Sequence, residues 1–454
     1  VGYSAGEGVS GSTTASNTVA VGEKAMEALT TGSSNTAVGY RSLKAITTGS
    51  NNIAIGNAAL DAVTTGSSMI AIGQNAGGSF TGTNEFVAIG SNAFAGAGGM
   101  VESVAVGSSA GANMTEGQWN VFVGHNTGTS RASGSNNVFM GYLSGAGTSA
   151  SGGNNTGIGH RALKTATSGG SNTALGYHAG TSITTGELNT LIGLETGDAL
   201  TVGIRNTAVG IRALGSDTQG SKTVAVGEGA LFTQNFTSAT NTFNVAVGAD
   251  AGVSVTTGVQ NTLIGGLCHD NLTTGDLHTA IGYNLAPSAV DVDSEIIIGS
   301  NATGGGTGTV RLGLSGGTAT LSLDGSDTSW AAASDERLKK DINTATAGLS
   351  FIKDLRPITY KWNEKNKVAS GLPQYDADST DPVYGSGKTQ HGFLAQEVKT
   401  TIDAHSDIKN GFSMWSEDPN GTQQVAPTAL IPILVKAIQE LSAKVDDLEA
   451  QLNT

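Results

Sequence analysis

The stretch Asn35-Thr36-Ala37-Val38-Gly39-Tyr40-Arg41-Ser42-Leu43, followed by Thr47-Thr48-Gly49-Ser50-Asn51, decides the fold of most of the chain. Its central feature is a glycine preceded by an aliphatic residue, and this pair returns at nearly every 17th residue, 18 times in all. Such regular spacing is typical of a repeat architecture. We call these glycines the anchor glycines: Gly2, Gly22, Gly39, Gly56, Gly73, Gly90, Gly107, Gly124, Gly141, Gly159, Gly176, Gly193, Gly210, Gly227, Gly248, Gly265, Gly282 and Gly299.

Each repeat has the pattern of a short β-strand before its anchor glycine. A large aliphatic residue directly precedes the glycine, and Thr, Val or Ile stands three positions before it. This alternation of β-branched residues predicts a strand. A second glycine, such as Gly49, often follows Thr-Thr ten residues after the anchor and predicts a turn with positive φ. Seventeen residues are too few for a helix pair, so we predict one β-solenoid coil per repeat, with two short strands and two tight corners.

The core of such a coil must be thin. We expect the aliphatic residue before each anchor glycine to point inward, together with small residues such as Ala37, Ala54 and Ala71. Little apolar area is buried per residue in a coil of this size, so packing against further chains would add stability.

Three spacings between anchors depart from 17. They are 20 residues before Gly22, 18 before Gly159 and 21 before Gly248. We expect the extra residues to bulge outward as loops without breaking the stack. The longest insertion carries Phe232, Phe236 and Phe243 close together, which predicts a contact surface on the rod.

Composition changes abruptly near residue 333. Residues 1–333 contain 60 of the 67 glycines, whereas six of the seven prolines and half of all charged residues lie in 334–454. Collagen is excluded because there is no Gly-X-Y period, and disorder is disfavoured by the abundant aliphatic residues. The net charge of −14 argues against nucleic-acid binding, and the single cysteine excludes intrachain disulfides. No apolar run is long enough to span a membrane, and the start at Val1 without a signal peptide suggests a trimmed chain.

Four motifs follow one another in the second region. They are Ser334-Asp335-Glu336-Arg337-Leu338-Lys339-Lys340-Asp341-Ile342, then 348–362 beginning Gly348-Leu349-Ser350-Phe351, then His391-Gly392-Phe393-Leu394-Ala395-Gln396-Glu397-Val398, then 429–441. Together they resemble the endosialidase-type C-terminal intramolecular chaperone of bacteriophage tail fibres and tailspikes. The 17-residue repeats resemble, more loosely, the β-roll heads of trimeric autotransporter adhesins.

This resemblance implies a self-cleaving domain. In the family, the domain helps three chains to fold and then cuts the bond before its signature serine. Here the nucleophile would be Ser334, the bond Ala333–Ser334 and the base Lys339. Serine needs a nearby base, and a lysine serves when its pKa is lowered. A spacing of five is about 140° around a helix, so Ser334 would lie in an extended segment or meet another chain's lysine. The alternative is that Ser334 caps a helix.

A heptad pattern ends the chain. Leu434, Leu441 and Leu448 form one row, and Ile438, Val445 and Leu452 form the other, on a helix predicted over 428–452. This pattern favours dimers in parallel coiled coils, whereas the resemblance implies trimers. The alternative is a helix docked on its own domain.

Other candidate sites give weaker signals. We interpret His125, His160 and His178 as surface residues of the rod, and Cys268 in Cys268-His269-Asp270 as a free thiol in a cluster without partners. Asp291, Asp293 and Glu295 alternate along one predicted strand, either as a Ca²⁺ site or, as we favour, as a solvated acidic face. Tyrosines after anchor glycines form either an outward row suited to stacking on sugars or simple surface decoration: Tyr40, Tyr142, Tyr177 and Tyr283.

The sequence therefore predicts a mainly β, fibrous and homotrimeric protein. Residues 1–300 form a β-solenoid of about 18 repeats, 301–333 a β neck, and 334–454 a small α+β chaperone. The resemblance implies a phage tail fibre in the virion that binds a host-surface glycan or protein. We expect no cofactor, metal, nucleic acid or membrane insertion. A bacterial surface adhesin and an ice-binding solenoid are the alternatives; the latter needs a flat Thr-x-Thr ladder, whereas Thr36, Ile53 and Val87 occupy one column.

Overall fold

The computed structural model describes the chain apart from residues 1, 8–13, 83–84, 97, 149–150, 315–316, 324–330, 333–335, 337–338, 373, 385–386, 410–411, 419–420 and 454. Its internal contacts divide the chain into two compact units, Val1–Ala333 and Ser334–Thr454. The first unit is a β-solenoid rod, and the second combines three α-helices with short strands.

The described residues of the first unit form 24 short strands. They are β1 Val19–Val21, β2 Thr36–Val38, β3 Ile53–Ile55, β4 Ile70–Ile72, β5 Phe86–Ile89, β6 Gly99–Val101, β7 Ser103–Val106, β8 Glu116–Gln118, β9 Val121–Val123, β10 Val138–Met140, β11 Thr156–Ile158, β12 Thr173–Leu175, β13 Thr190–Ile192, β14 Thr207–Val209, β15 Gly220–Ser221, β16 Val224–Val226, β17 Thr240–Asn241, β18 Val245–Val247, β19 Thr262–Ile264, β20 Thr279–Tyr283, β21 Ile296–Ser300, β22 Thr309–Leu314, β23 Gly317–Ser322 and β24 Ala331–Ala332.

The strands before the anchor glycines stack into one parallel sheet. Each pairs with the strand of the next coil in the register that the repeat dictates, as Thr36 with Ile53 and Val38 with Ile55. The ladder runs through the strands that precede Gly22 to Gly299, which confirms the predicted solenoid. A second strand per coil is present in the described residues only where β6 pairs with β8 and β15 with β17.

The small residues of the strands face inward as predicted, but the aliphatic residues before the anchor glycines do not. In β2, Ala37 is fully buried, whereas Thr36 and Val38 on either side of it are only partly buried. The same holds along the stack, where the residue directly before the anchor glycine faces outward. Alternation identifies two faces without saying which lies inside, and at this corner only the small column fits the narrow interior.

In several coils, core volume is shared between two interior positions. Ala37 of β2 goes with a buried Leu43, four residues after the anchor. Beside a bulky strand residue the same position can be glycine: a Cβ on Gly197 would lie 2.8 Å from Leu191, and one on Gly145 would lie 2.5 Å from Phe139. Protein interiors leave few voids, so in these coils a large side chain at one position goes with a small residue at the other.

A column of asparagines runs through the interior, four residues before the anchor glycines. Asn172 donates from its side-chain amide to the side-chain Oδ1 of Asn155 at 3.2 Å and to the Gly186 backbone carbonyl at 2.9 Å. Its own Oδ1 accepts the backbone N–H and side-chain amide of Asn189 at 3.1 and 3.0 Å. The asparagine side chains therefore supply hydrogen-bond partners for buried backbone N–H and C=O groups of neighbouring coils.

We expect Asn172→Ala to lower the free energy of unfolding of the rod by about 3 kcal/mol, because it leaves several buried groups without partners. Chemical denaturation followed by circular dichroism measures the change. Asn57→Ala, at an exposed position, is the matched control and should change stability by less than about 0.5 kcal/mol. Equal effects in the two variants would show that the column does not stabilise the rod.

In most repeats the second glycine has a different role from the one predicted, whereas Gly117 does have a positive φ, of 125°. Gly49 does not adopt a positive φ, and the same is true of Gly32 and Gly66. A Cβ on Gly49 would instead collide with the backbone carbonyl of Gly66 in the next coil. Close stacking of consecutive corners, not left-handed backbone, requires glycine at this column.

The longest insertion forms a loop, but its three phenylalanines do not all reach the surface. Residues 237–239 are exposed, which places the added length outside the stack. Phe236 is buried, and its N–H donates to the Asp217 carboxylate at 3.1 Å, whereas Phe243 is half exposed. The predicted contact surface is therefore wrong. The segments before Gly22 and Gly159 include residues 8–13 and 149–150, which lie outside the described residues.

A hairpin follows the last coil. β22 continues the parallel ladder from β21, and β23 then pairs with it antiparallel, with Val310 opposite Leu321. β24 pairs antiparallel with β23, with Ala332 opposite Ala319. The antiparallel strands cover the hydrogen-bonding edge that a solenoid leaves open at its end.

The second unit has its own hydrophobic core. Phe351, Val398, Ile402, Met414 and Ile433 form its buried centre. Its elements are α1 Leu349–Asp354, β25 Ile358–Tyr360, a 3₁₀ turn Lys365–Lys367, β26 Gln390–Gly392, α2 Ala395–Ala404, β27 Trp415–Glu417, β28 Gln423–Val425, a 3₁₀ turn Pro427–Leu430 and α3 Ile431–Leu452. β25 pairs with β26, and β27 with β28, both antiparallel.

Candidate functional site

The predicted cleavage junction coincides with the boundary between the two compact units, which falls between Ala333 and Ser334. Both residues lie outside those that the structure describes, so the Ser334–Lys339 dyad stays a prediction. Lys339 itself is exposed, and its backbone N–H donates to the Glu336 carbonyl at 3.0 Å. On the other side, β24 pairs with β23 up to Ala332.

Two of the four motifs are joined by an ion pair. The Arg356 guanidinium donates to both carboxylate oxygens of Glu397, at 2.9 Å from Nε and 2.5 Å from Nη2. Hydrogen bonding to Arg356 holds the pKa of Glu397 below its ordinary value, while the carboxylate raises the pKa of Arg356. A bidentate pair fixes geometry as well as charge, so it sets the orientation of α2 relative to the segment before β25.

The second and the fourth motif meet at the start of α1. The Glu440 carboxylate of α3 accepts the Leu349 N–H at 2.9 Å. A Cβ on Gly348 would lie 2.7 Å from this carboxylate, so glycine leaves room for its observed position. The negative charge at the helix N-terminus is favourable, and it ties two segments that are 91 residues apart. Sequence reasoning identified both motifs but gave no reason to pair them.

The outward column of the rod forms a continuous apolar ladder. Every residue directly before an anchor glycine from Gly22 to Gly299 is Val, Ile, Leu or Met, and none of them is buried. Leu175 is 44% exposed, between Ile158 and Ile192 of the neighbouring coils. Monomeric proteins seldom expose apolar patches larger than a few hundred Å², and this ladder is roughly 80 Å long at the strand spacing of about 4.8 Å.

A row of stacked rings lies on the surface of four consecutive coils. His125 stacks on Tyr142 with ring centroids 5.6 Å apart, and Tyr142 stacks on His160 at 5.3 Å. Tyr177 continues the row 5.0 Å from His160 and stacks on His178 at 4.1 Å. All four tyrosines of the predicted row are exposed: Tyr40, Tyr142, Tyr177 and Tyr283. The stacked part of this aromatic row therefore combines tyrosines with histidines, which the repeat brings next to each other in neighbouring coils.

The last helix exposes its heptad face. Ile433 and Ala437 are buried in the core of the second unit, so α3 is docked through one side of its first turns. Both heptad rows are exposed: Leu434, Leu441, Leu448, Ile438, Val445 and Leu452. The helix therefore packs on its own domain through its first turns and presents an uncovered apolar seam, and the coiled coil stays a prediction.

Two predictions about minor clusters are wrong. His269 is not in a cluster without partners, because its ring lies 3.2 Å from that of His278 in the rod interior. Glu295 is fully buried and precedes β21, so it lies neither on a strand with Asp291 and Asp293 nor on a solvated face. Cys268 is a free, buried thiol, and burial raises its pKa to about 12.

Residues 334–407 match the family model described as the chaperone of endosialidase. The match begins at the predicted nucleophile and covers three of the four motifs, and the rod lies outside it. No curated protein and no solved structure matches the chain. A β-solenoid followed by such a segment fits a fibre-type protein with an intramolecular chaperone at its C-terminus.

None of the helices in the described part of the chain is long and apolar enough to cross a membrane.

Proposed function

We propose that this chain is the shaft of a homotrimeric phage tail fibre or tailspike that attaches the virion to a host surface. Its C-terminal unit directs assembly and then cleaves itself off at Ala333–Ser334, with Ser334 as nucleophile and Lys339 as base. The observation that carries the proposal is the pairing of two features in one chain: a rod with an uncovered apolar ladder, and a segment that matches an assembly chaperone.

The apolar ladder is best covered by the same ladder of other copies of this chain. Its apolar residues repeat at the strand spacing over the whole rod, and only another ladder of the same spacing can interdigitate with it throughout. The uncovered heptad seam of α3 would bring three chains together at the C-terminal end, from which the ladders can align. Burying the ladder compensates for the small core of each coil.

The aromatic row is the part of the rod that suits attachment. Tyr142 and Tyr177 are exposed at the spacing of the coils, and the outer edge of the ring stack offers apolar surface and phenolic hydroxyls to a sugar. The other members of the row are histidines, which add aromatic surface and no negative charge. We therefore propose a host-surface glycan as the ligand of this row.

Binding of the purified fibre to host cells and to arrayed glycans tests the attachment role. We expect Tyr177→Ala to weaken binding at least fivefold without changing the oligomeric state. Tyr283→Ala, an exposed tyrosine outside the stacked row, is the control and should bind as the unmodified protein does. Binding that is unaffected by Tyr177→Ala and by Tyr142→Ala would contradict a role of the row in attachment.

A further inference from the structure

Three ionisable side chains lie inside the rod near its C-terminal end. His269, His278 and Glu295 are each at most 1% exposed, and one ligand atom from each lies within 4.8 Å of the others. His278 and Glu295 occupy the interior column that carries asparagine in most coils, and His269 occupies the column of Leu43. Stacking therefore brings together residues from three consecutive coils.

The hydrogen bonds of the two rings leave two lone pairs facing each other. Nε2 of His278 lies 2.6 Å from the Val292 carbonyl, and Nδ1 of His269 lies 3.3 Å from the Leu285 carbonyl. Carbonyl oxygens only accept, so each contact places the ring's proton on that nitrogen. A neutral imidazole has one such proton, and Nε2 of His269 and Nδ1 of His278 are then both bare, 3.2 Å apart.

Lone pairs at this distance repel unless a cation lies between them. Two nitrogens bound to one tetrahedral zinc ion, at about 2.05 Å each, lie about 3.3 Å apart, which is the separation found here. Metal-bound histidines also commonly donate their second N–H to a carbonyl or carboxylate, as both rings do. Burial lowers the pKa of His269 to about 4, which keeps the ring in the neutral form that ligates metals.

The carboxylate of Glu295 is held in place beside the rings. Its oxygens accept the Ser288 N–H at 3.0 Å and the Gly306 N–H at 2.6 Å. A Cβ on Gly304 would collide with the carboxylate, so glycine makes room for it. Among the described residues no lysine or arginine forms an ion pair with Glu295, and a buried carboxylate needs a compensating cation.

We propose that His269, His278 and Glu295 form an internal site for a divalent transition-metal ion of the zinc type. Nε2 of His269 and Nδ1 of His278 are the nitrogen ligands, and the Glu295 carboxylate moves by no more than about 1.5 Å to complete a three-residue set. The ion links the last coils of the rod, where the stack ends and β22 and β23 begin. Its role is structural, since the site is enclosed by the core.

Metal content of the full-length chain tests the proposal. The protein is produced without a polyhistidine tag in medium containing Zn²⁺ or Co²⁺, so that the ion is present while the rod folds. We expect about one equivalent of metal per chain after desalting, and a Co²⁺ absorption spectrum typical of tetrahedral nitrogen and oxygen ligands. The metal-free alternative is a hydrogen bond from Nε2–H of His269 to His278, with no ion between the rings.

The matched variant is His278→Asn, because it restores the residue that this column carries in the neighbouring coil, at Asn261. We expect it to fold and to hold at least tenfold less metal, whereas His160→Asn on the rod surface should keep the full amount. Equal metal content in His278→Asn and the unmodified chain, or none in either, would overturn the proposal. If His278→Asn fails to fold, the Co²⁺ spectrum of the unmodified chain decides, since surface-bound cobalt gives the weak octahedral spectrum.

Discussion

Ser334→Ala should abolish processing and leave a full-length chain on a denaturing gel, still assembled under native conditions. The serine hydroxyl would attack the Ala333 carbonyl and form an ester that water hydrolyses, and loss of a serine nucleophile typically costs at least about a thousandfold in rate. Lys339→Ala should also stay uncut, since Lys339 would take the serine proton and return it to the leaving amine.

Lys340→Ala is the matched control for that experiment. It removes a neighbouring, exposed lysine and should be cut at nearly the normal rate. If Ser334→Ala is cut as readily as the unmodified chain, an external protease accounts for the processing, and the Ser-Lys assignment is wrong. If only Lys339→Ala is cut normally, the nucleophile stands and the base must be another group.

Leu175→Lys should prevent assembly of the rod. Its side chain lies in the middle of the apolar ladder, and in a trimer three ammonium groups would be brought together away from water at a cost of several kcal/mol. We expect light scattering to find monomers or aggregates in place of trimers. If processing depends on docking of neighbouring chains, the variant should also remain uncut.

Leu188→Lys controls for the added charge. Leu188 is as exposed as Leu175, at 48%, but belongs to a column that carries Arg205 and Lys222 in the following coils. This variant should assemble normally. A trimer formed by Leu175→Lys with the stability of the unmodified protein would show that the ladder is not an interface.

The 17-residue period could be predicted from the sequence, but which strand residues face the interior of the rod could not. The distance between anchor glycines fixes coil length and register, so the parallel ladder followed directly. Assigning Val38 inward and Ala37 alongside it was wrong because neighbouring residues of a strand point to opposite faces. The aliphatic column was read as core on hydrophobicity alone, and its uniformity is better explained by an external apolar face.

Aligning the repeats on their anchor glycines identifies polar residues that lie in the rod interior. Asn35 and Asn52 stand in one column, and their side chains hydrogen bond to each other at 3.0 Å. His278 and Glu295 follow Asn261 in that column at steps of 17, so the sequence contained the signal that they are interior. Their meeting with His269 could not be predicted, because it depends on how the corner of one coil packs against the next.

For the C-terminal unit, the motifs could be predicted from the sequence but the contacts between them could not. Its motifs were recognised by their order, yet the contacts between them, Arg356 with Glu397 and Glu440 with Leu349, depend on segments 41 and 91 residues apart. No local pattern specifies such pairs. The helix that carries the two heptad rows of α3 could be predicted from their spacing, whereas the docking of Ile433 required the position of α1.

The masses of the unmodified protein, measured on one preparation under denaturing and native conditions, test the central claim most directly. The account predicts two denatured fragments, residues 1–333 and 334–454, and a native rod with three times the mass of the larger fragment. A single full-length species under denaturing conditions that is also monomeric under native conditions would contradict both self-cleavage and assembly.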